Sequence, residues 1–289
     1  MLLLLACNSP AIDSDSPAER LDDSFIESSV DTSDSGDFIV EGWEGDPGFG
    51  WSLAWHQGRV WTGNPFLGRV EPLDQTELLT GEGFYGWSLA SDGDTLFVGA
   101  PLAGEVHGEE ISPGVLAGGR MAAIDGHVAW TVQGGVVVDG AFLPLDAQPS
   151  SVAWQDGSLV VGWSRGALVL EDMPRQEGDA DAGYALCADE VLAIGAPSSG
   201  TVWVLSEEGT EVFEGSGRFG HSLSCLGDRV LVGAPAAGAV WMLRPGKTPE
   251  LLFEGADELG VSVLLTPKGA YAGAPGNANS SAGSVLRVR

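Results

Sequence analysis

The sequence predicts an all-β protein, a seven-bladed β-propeller of four-stranded antiparallel blades whose last blade is closed by the N-terminal strand. Three observations predict it. The 289 residues include 43 Gly and 16 Pro, and the apolar residues fall in short runs rich in Val, Leu, Trp and Phe rather than in long stretches of helical period, which is strand composition punctuated by turns. One strand-turn-strand-turn-strand unit recurs along the chain. The last unit lacks a fourth strand, and a run ahead of the first unit can supply it.

The unit is clearest at FGHSLSCLGDRVLVGAPAAGAVWML, residues 219–243. There HSLSC alternates, LGD turns, RVLVG reads as a strand, APAAG turns again and AVWML is a further strand. Related segments occupy 49–73, 85–106, 151–170, 183–205 and 259–288, and a weaker one at 121–138 keeps the apolar pattern without Gly-Ala-Pro. The corresponding apolar anchors are Leu53, Leu89, Ile124, Val152, Leu186, Leu223 and Val263, in steps of 28 to 40 residues. Spacing in that range marks a repeat architecture. Asp-Gly and Gly-Asp pairs stand where a hairpin needs positive φ. A fourth apolar run follows several units: LLTG (78–81), VLAG (115–118), VFEG (212–215) and LFEG (252–255). Four short antiparallel strands per unit make a propeller blade.

The ends settle ring against open solenoid. The last unit stops at GSVLRVR, while Phe38-Ile39-Val40-Glu41-Gly42 ahead of the first unit matches VFEG and LFEG. That run would form the outer strand of the last blade, closing the ring and removing an exposed edge. Residues 37–289 are therefore expected to form the propeller.

Ahead of it the chain has a different character. Residues 8–36 are rich in Ser, Asp and Glu, with eight acids against one Arg; such a segment buries too little apolar surface to offset its ordering entropy and is expected to be a disordered, self-repelling tether. Residues 1–7 are too short an apolar run to span a bilayer. Leu4-Leu5-Ala6-Cys7 resembles the lipobox of bacterial lipoproteins, a family in which the Cys is lipidated after cleavage. The resemblance implies lipidation at Cys7, a leader extending upstream of Met1, and, with Asn8 rather than Asp after the Cys, placement in the outer membrane facing the periplasm or the cell surface. The alternative is a chance LLAC.

The formal net charge is −28. Nucleic-acid binding needs a basic surface to neutralise phosphate and is not expected; an anionic membrane would be met only through a lipid anchor. Of the three Cys, Cys187 and Cys225 each lie eight residues before the Gly of a Gly-Ala-Pro, at equivalent places in neighbouring units. Equivalent sites are usually too far apart for a disulfide, so the reading is buried free thiols, with a disulfide as the alternative.

Phe-Gly and Gly-Ala-Pro at this spacing, as in FGHSLSCLGDRVLVGAP, resemble the FG-GAP repeat of the integrin α-chain propeller and of many bacterial surface proteins. The resemblance spans about residues 37–289 and is weakest in the third and fourth units. Many integrin blades carry an Asp-rich calcium loop. Here Asp92-Gly93-Asp94 and Gly227-Asp228 are too short, and Asp179-Ala180-Asp181-Ala182-Gly183 precedes a strand rather than following one. Such loops need several converging oxygens, so these read as turns, and neither metal nor cofactor is expected.

Gly162-Trp163-Ser164-Arg165-Gly166 matches G-x-S-x-G, which as a nucleophile elbow requires a strand-turn-helix setting; at a Gly-Ala-Pro position it reads as a turn. The four His (His56, His107, His127, His221) lack metal-ligand spacing, and Asn279-Ser280-Ser281 reads as a loop. No catalytic residue is assigned. The residues following the first Gly of each unit are Trp51, Trp87, Ala122, Ser150, Tyr184, His221 and Val261. They should share one height at a mouth of the central channel, where Trp51, Trp87, Tyr184 and His221 could form an aromatic crescent able to stack on sugars or grip a peptide. The alternative is that these rings wedge between blades as core. Trp61, Trp203 and Trp241, inside strand runs, read as core.

The functional expectation is a monomeric, non-catalytic binding or scaffolding module at the bacterial envelope, recognising a protein or glycan. A hydrolase or lyase at the channel mouth and a purely structural envelope lipoprotein are the alternatives.

Overall fold

The computed structural model describes residues 40–108, 111–113, 117–163, 166–169, 176–177, 181–255, 258–276 and 282–288. Cys7, the acidic segment 8–36, Phe38 and Ile39, Ser164 and Arg165, Asp179 and Ala180, and the sequon 279–281 lie outside them. Among the described residues all regular structure is β, arranged as seven four-stranded antiparallel sheets. The fold is a β-propeller.

The sixth blade shows the pattern: Ser222–Leu226 innermost, then Arg229–Ala234, Ala239–Leu243 and Glu250–Glu254 outermost. The other innermost strands are Ser52–His56, Ser88–Ser91, Met121–Ile124, Pro149–Gln155, Ala185–Ala188 and Ser262–Thr266. Each innermost strand touches that of the next blade, and the seventh returns to the first, so the ring is closed around a channel. In the second strands of the first, sixth and seventh blades all but the first residue are buried, and every second strand has at least three consecutive buried residues. Each is covered on both faces by adjacent blades, which is why the sequence there is continuously apolar instead of alternating. Val230, Val232 and Ala234 pack with Val202, Val204 and Phe219 across one such interface.

The repeat motif has a mechanical explanation in the contact between blades. The Gly-Ala-Pro glycine packs against the carbonyl of the first glycine of the next blade: Gly63 on Gly86, Gly99 on Gly118, Gly162 on Gly183, Gly195 on Gly220, Gly233 on Gly260 and Gly273 on Gly50. A Cβ at any of these positions would overlap that carbonyl. The same carbonyl accepts a hydrogen bond from a serine of the preceding blade: Ser52 to Gly86, Ser88 to Gly118, Ser151 to Gly183, Ser222 to Gly260 and Ser262 to Gly50, at 2.5 to 2.8 Å. These serine clips run around the axis, and the last of them joins the seventh blade to the first.

The outer strand of the seventh blade is Val40–Gly45, antiparallel to Gly283–Val288. It adds the partly buried pair of Glu41 with Arg287 at 2.9 Å, and Arg287 also donates to the Lys268 carbonyl. The equivalence expected from sequence is corrected by three residues. Gly45, not Gly42, matches Gly215, because Glu44 pairs with Ser284 as Glu214 pairs with Thr201. The reason lies in the next turn: a Cβ on Gly45 would collide with Phe49, as one on Gly215 would with Phe219.

Three further corrections follow from tertiary contacts. In the third blade Gly118 takes the axial position, its carbonyl meeting Ser88. Met121, not Ile124, is therefore the inner-strand counterpart of Leu53, and VLAG is not the fourth strand of the second blade, which is Ile111–Pro113. Cys187 and Cys225 are not free thiols. They form a disulfide, with Cα atoms 5.4 Å apart, because both lie on innermost strands, which converge at the axis. Ala185 replaces the clip serine at this same blade junction, so the covalent bond stands where the hydrogen bond is missing. Trp61 is core, while Trp203 and Trp241 are only partly buried against it.

Candidate functional site, the channel mouth

A four-residue turn opens each typical unit and sets what faces the mouth. The amides of Trp51, Trp87, Tyr184, His221 and Val261 donate to the carbonyls of Gly48, Phe84, Asp181, Arg218 and Glu258, three residues back. Most also donate to the Gly-Ala-Pro glycine carbonyl of their own blade, as Trp87 does to Gly99 and His221 to Gly233. Between the two ends of the turn sit the buried Phe or its substitute and the axial Gly. In the sixth and seventh blades the turn thus brings two side chains to the mouth, Arg218 with His221 and Glu258 with Val261. Phe84, Arg218 and Glu258 hold φ of 65°, 65° and 71°, a left-handed backbone that costs about 1 kcal/mol or more per non-glycine residue.

The mouth is a cavity of about 450 Å³ bordered by Trp51, Phe66, Trp87, Arg120, Arg218 and His221 among others. It has two unlike sides. On the first and second blades four rings form one cluster: Trp51 to Trp87 at 4.7 Å, Trp51 to Phe66 at 5.2 Å, Phe84 to Trp87 stacked at 5.6 Å, and Phe66 to Phe84 at 6.3 Å between centroids. Phe66 is 43% exposed and its neighbour Leu67 47%. On the other side Tyr184 and His221 lie 5.2 Å apart, with the Arg120 guanidinium over the Tyr184 ring at 5.6 Å. Arg120 and Arg218 are exposed, and among the described residues neither forms an ion pair.

His221 is buried, and its Nδ1 has no hydrogen-bond partner among the described residues. Burial, followed by the positive charges of Arg218 and Arg120, lowers its pKa to about 3. The imidazole is therefore neutral at physiological pH.

All four residues expected in the crescent face this mouth. Trp51, Trp87 and Tyr184 are half-buried with part of each ring open, and His221 is deeper. Ser150 also reaches the axis, donating to the Gly183 carbonyl. Ala122 does not sit at that height. The shifted third blade places Gly119 there, and Arg120 in the clip-serine position. Sequence reasoning missed Phe66, Phe84, Arg120, Arg218 and Glu258. Four of these stand immediately before the Phe position (Phe84, Arg218, Glu258) or just after the Gly-Ala-Pro proline (Phe66), recurring offsets that could have found them.

The remaining motifs resolve as local structure. Asp92 Oδ1 accepts from the amides of Asp94 and Thr95, closing its own turn. Trp163 and Gly166 pair in adjacent antiparallel strands, so the described residues of G-x-S-x-G belong to strands and not to the strand-helix setting of a nucleophile elbow. His56 bonds Ser91, and His127 pairs with Asp139. Among the described residues no three His, Cys, Asp or Glu side chains converge as a metal site would require, and no helix is long and apolar enough to cross a membrane.

No protein-family model matches this sequence, and no curated protein does. Solved structures match in fold. A virginiamycin B lyase from Staphylococcus aureus superposes with a TM-score of 0.69 at 12% identity, over 87% of this chain and 99% of that one. A streptogramin B lyase gives 0.68 at 11% identity, over 87% and 98%. The WD40 repeats of RRP9 give 0.66 at 13%, over 86% and 97%. At these identities the similarity is one of architecture, and it establishes the β-propeller.

Proposed function

We propose that this chain is a non-catalytic recognition module of the bacterial envelope that holds a protein or glycan partner at the channel mouth. The observation that carries the reading is the four-ring wall of Trp51, Phe66, Phe84 and Trp87, left partly open where a closed core would cover it. Aromatic anchors give large contact area at low entropic cost. Propellers serve both as scaffolds and as enzymes, so the fold alone assigns neither.

The envelope location rests on the lipobox-like Leu4-Leu5-Ala6-Cys7, on the acidic tether after it, and on the Cys187–Cys225 bond, which suits an oxidising compartment. Membership of the FG-GAP class is supported by the close approach of the two motif glycines at each typical junction. The test is capture from envelope extract by the full chain beside Trp51→Ala/Trp87→Ala/Tyr184→Ala, each with and without EDTA. Retention by the wild type and loss by the variant supports recognition at the mouth. Equal retention moves the interface to another surface, and loss with EDTA would establish a metal requirement.

A lyase or hydrolase acting at the same mouth is the second reading. Its support is the placement of an imidazole, His221, beside the Tyr184 phenol at the mouth. Substrate turnover that disappears in His221→Gln while the fold is kept would establish it.

A further inference from the structure

We infer that the mouth recognises a carboxylate carried on a sugar ring, a hexuronate residue of an acidic glycan; this deepens the recognition reading and rests on it. In a chain of net charge −28, two exposed guanidiniums without a carboxylate partner among the described residues stand at one cavity. Glu258 is the carboxylate among the residues bordering that cavity. Arginine presents planar paired donors that match a carboxylate.

Across the cavity, Trp51, Trp87 and Phe66 offer ring faces and edges for the apolar face of a sugar, with Phe84 stacked on Trp87. Between the two sides stands His221, buried and neutral, so it adds no charge that would compete with the two guanidiniums. The cavity of about 450 Å³ suits one or two sugar rings.

The backbone argues for a sugar over an extended peptide. A bound strand needs free main-chain donors. Here the amides of Trp51, Trp87, Tyr184, His221 and Val261 already close the mouth turns, so recognition is left to side chains. The overall negative charge does not oppose this at close range, since exposed charges beyond about 8 Å are largely screened at physiological salt.

The test is titration of the full chain, by calorimetry and tryptophan fluorescence, with a galacturonate tetramer, a neutral galactose tetramer and an acidic tetrapeptide. The expected result is binding of the galacturonate at least tenfold tighter than of the neutral tetramer. Arg218→Gln and Arg120→Gln should each weaken it about five- to tenfold, Arg218→Lys should weaken it less, and Trp87→Ala should weaken both sugars. Thermal melts confirm that each variant is folded. Equal binding of the neutral tetramer, or arginine variants of unchanged affinity, overturns the carboxylate inference while leaving glycan recognition standing. Preference for the acidic peptide, or no binding at millimolar concentration, also overturns it, and the envelope capture then reports separately on recognition itself.

Discussion

Removing the Cys187–Cys225 bond should cost this protein more stability than removing any one serine clip. The two residues are 38 apart in sequence. Cross-linking a loop of that length removes about 13 cal/mol/K of chain entropy from the unfolded state, or about 4 kcal/mol at 25 °C. A clip such as that of Ser222 to the Gly260 carbonyl is one buried hydrogen bond, and its loss costs about 1 to 2 kcal/mol. The fifth and sixth blades have no such clip between them, so nothing of that kind remains once the covalent bond is gone. Urea unfolding of the full chain, followed by tryptophan fluorescence with and without dithiothreitol, measures the difference. With a denaturant slope of about 3 kcal/mol/M, the midpoint should fall by roughly 1.3 M on reduction. Cys187→Ala/Cys225→Ala should show the lower midpoint in either buffer. Thiol titration in denaturant should find two more reactive groups after reduction than before, Cys187 and Cys225. A thiol count unchanged by reduction, or a midpoint indifferent to dithiothreitol, would refute the reasoning.

Other outcomes follow from the same contacts. Gly233→Ala should destabilise by about 3 kcal/mol, because the new methyl overlaps the Gly260 carbonyl. Gly255→Ala, whose methyl would lie 3.7 Å from Leu259, should stay within about 1 kcal/mol of wild type in the same unfolding assay. The lowered pKa of His221 means that the unfolded chain binds the extra proton between about pH 3 and 6.5. Stability attributable to this residue is therefore full above pH 6.5 and falls as pH drops, by about 2 kcal/mol at pH 5; His221→Gln should flatten that limb of the stability curve relative to wild type. Removing residues 1–45 deletes the strand that pairs with Gly283–Val288 and exposes an edge. Size-exclusion chromatography should then show self-association, and a monomer of unchanged melting temperature would count against strand closure as a stabilising device.

How far the sequence carries the argument differs between repeat and site. Alternation at HSLSC, the turn at LGD and the glycines flanking RVLVGAP are local demands of strand and turn chemistry, so they are readable without a fold. The missing fourth strand at GSVLRVR is equally a sequence fact, and it leads directly to closure of the seventh blade by the N-terminal run. Trp51, Trp87, Tyr184 and His221 were reachable because they recur at one offset within the repeat. The weak third unit broke that logic: without Gly-Ala-Pro, nothing local distinguishes Arg120 from Ala122, and the Ser88 bond to Gly118 fixes the register.

What the sequence by itself determined is the all-β class, the repeating unit and, in the typical units, the height at which the residue after the first glycine presents its side chain. These depend on period and on residue-specific backbone freedom, which act over a few positions. Only the tertiary structure decided what meets across the axis. Cys187 with Cys225, Trp51 with Trp87 and Arg120 over Tyr184 join residues 36 to 64 positions apart. They touch because a closed ring brings its innermost strands together, a constraint that belongs to the whole ring and to no single unit.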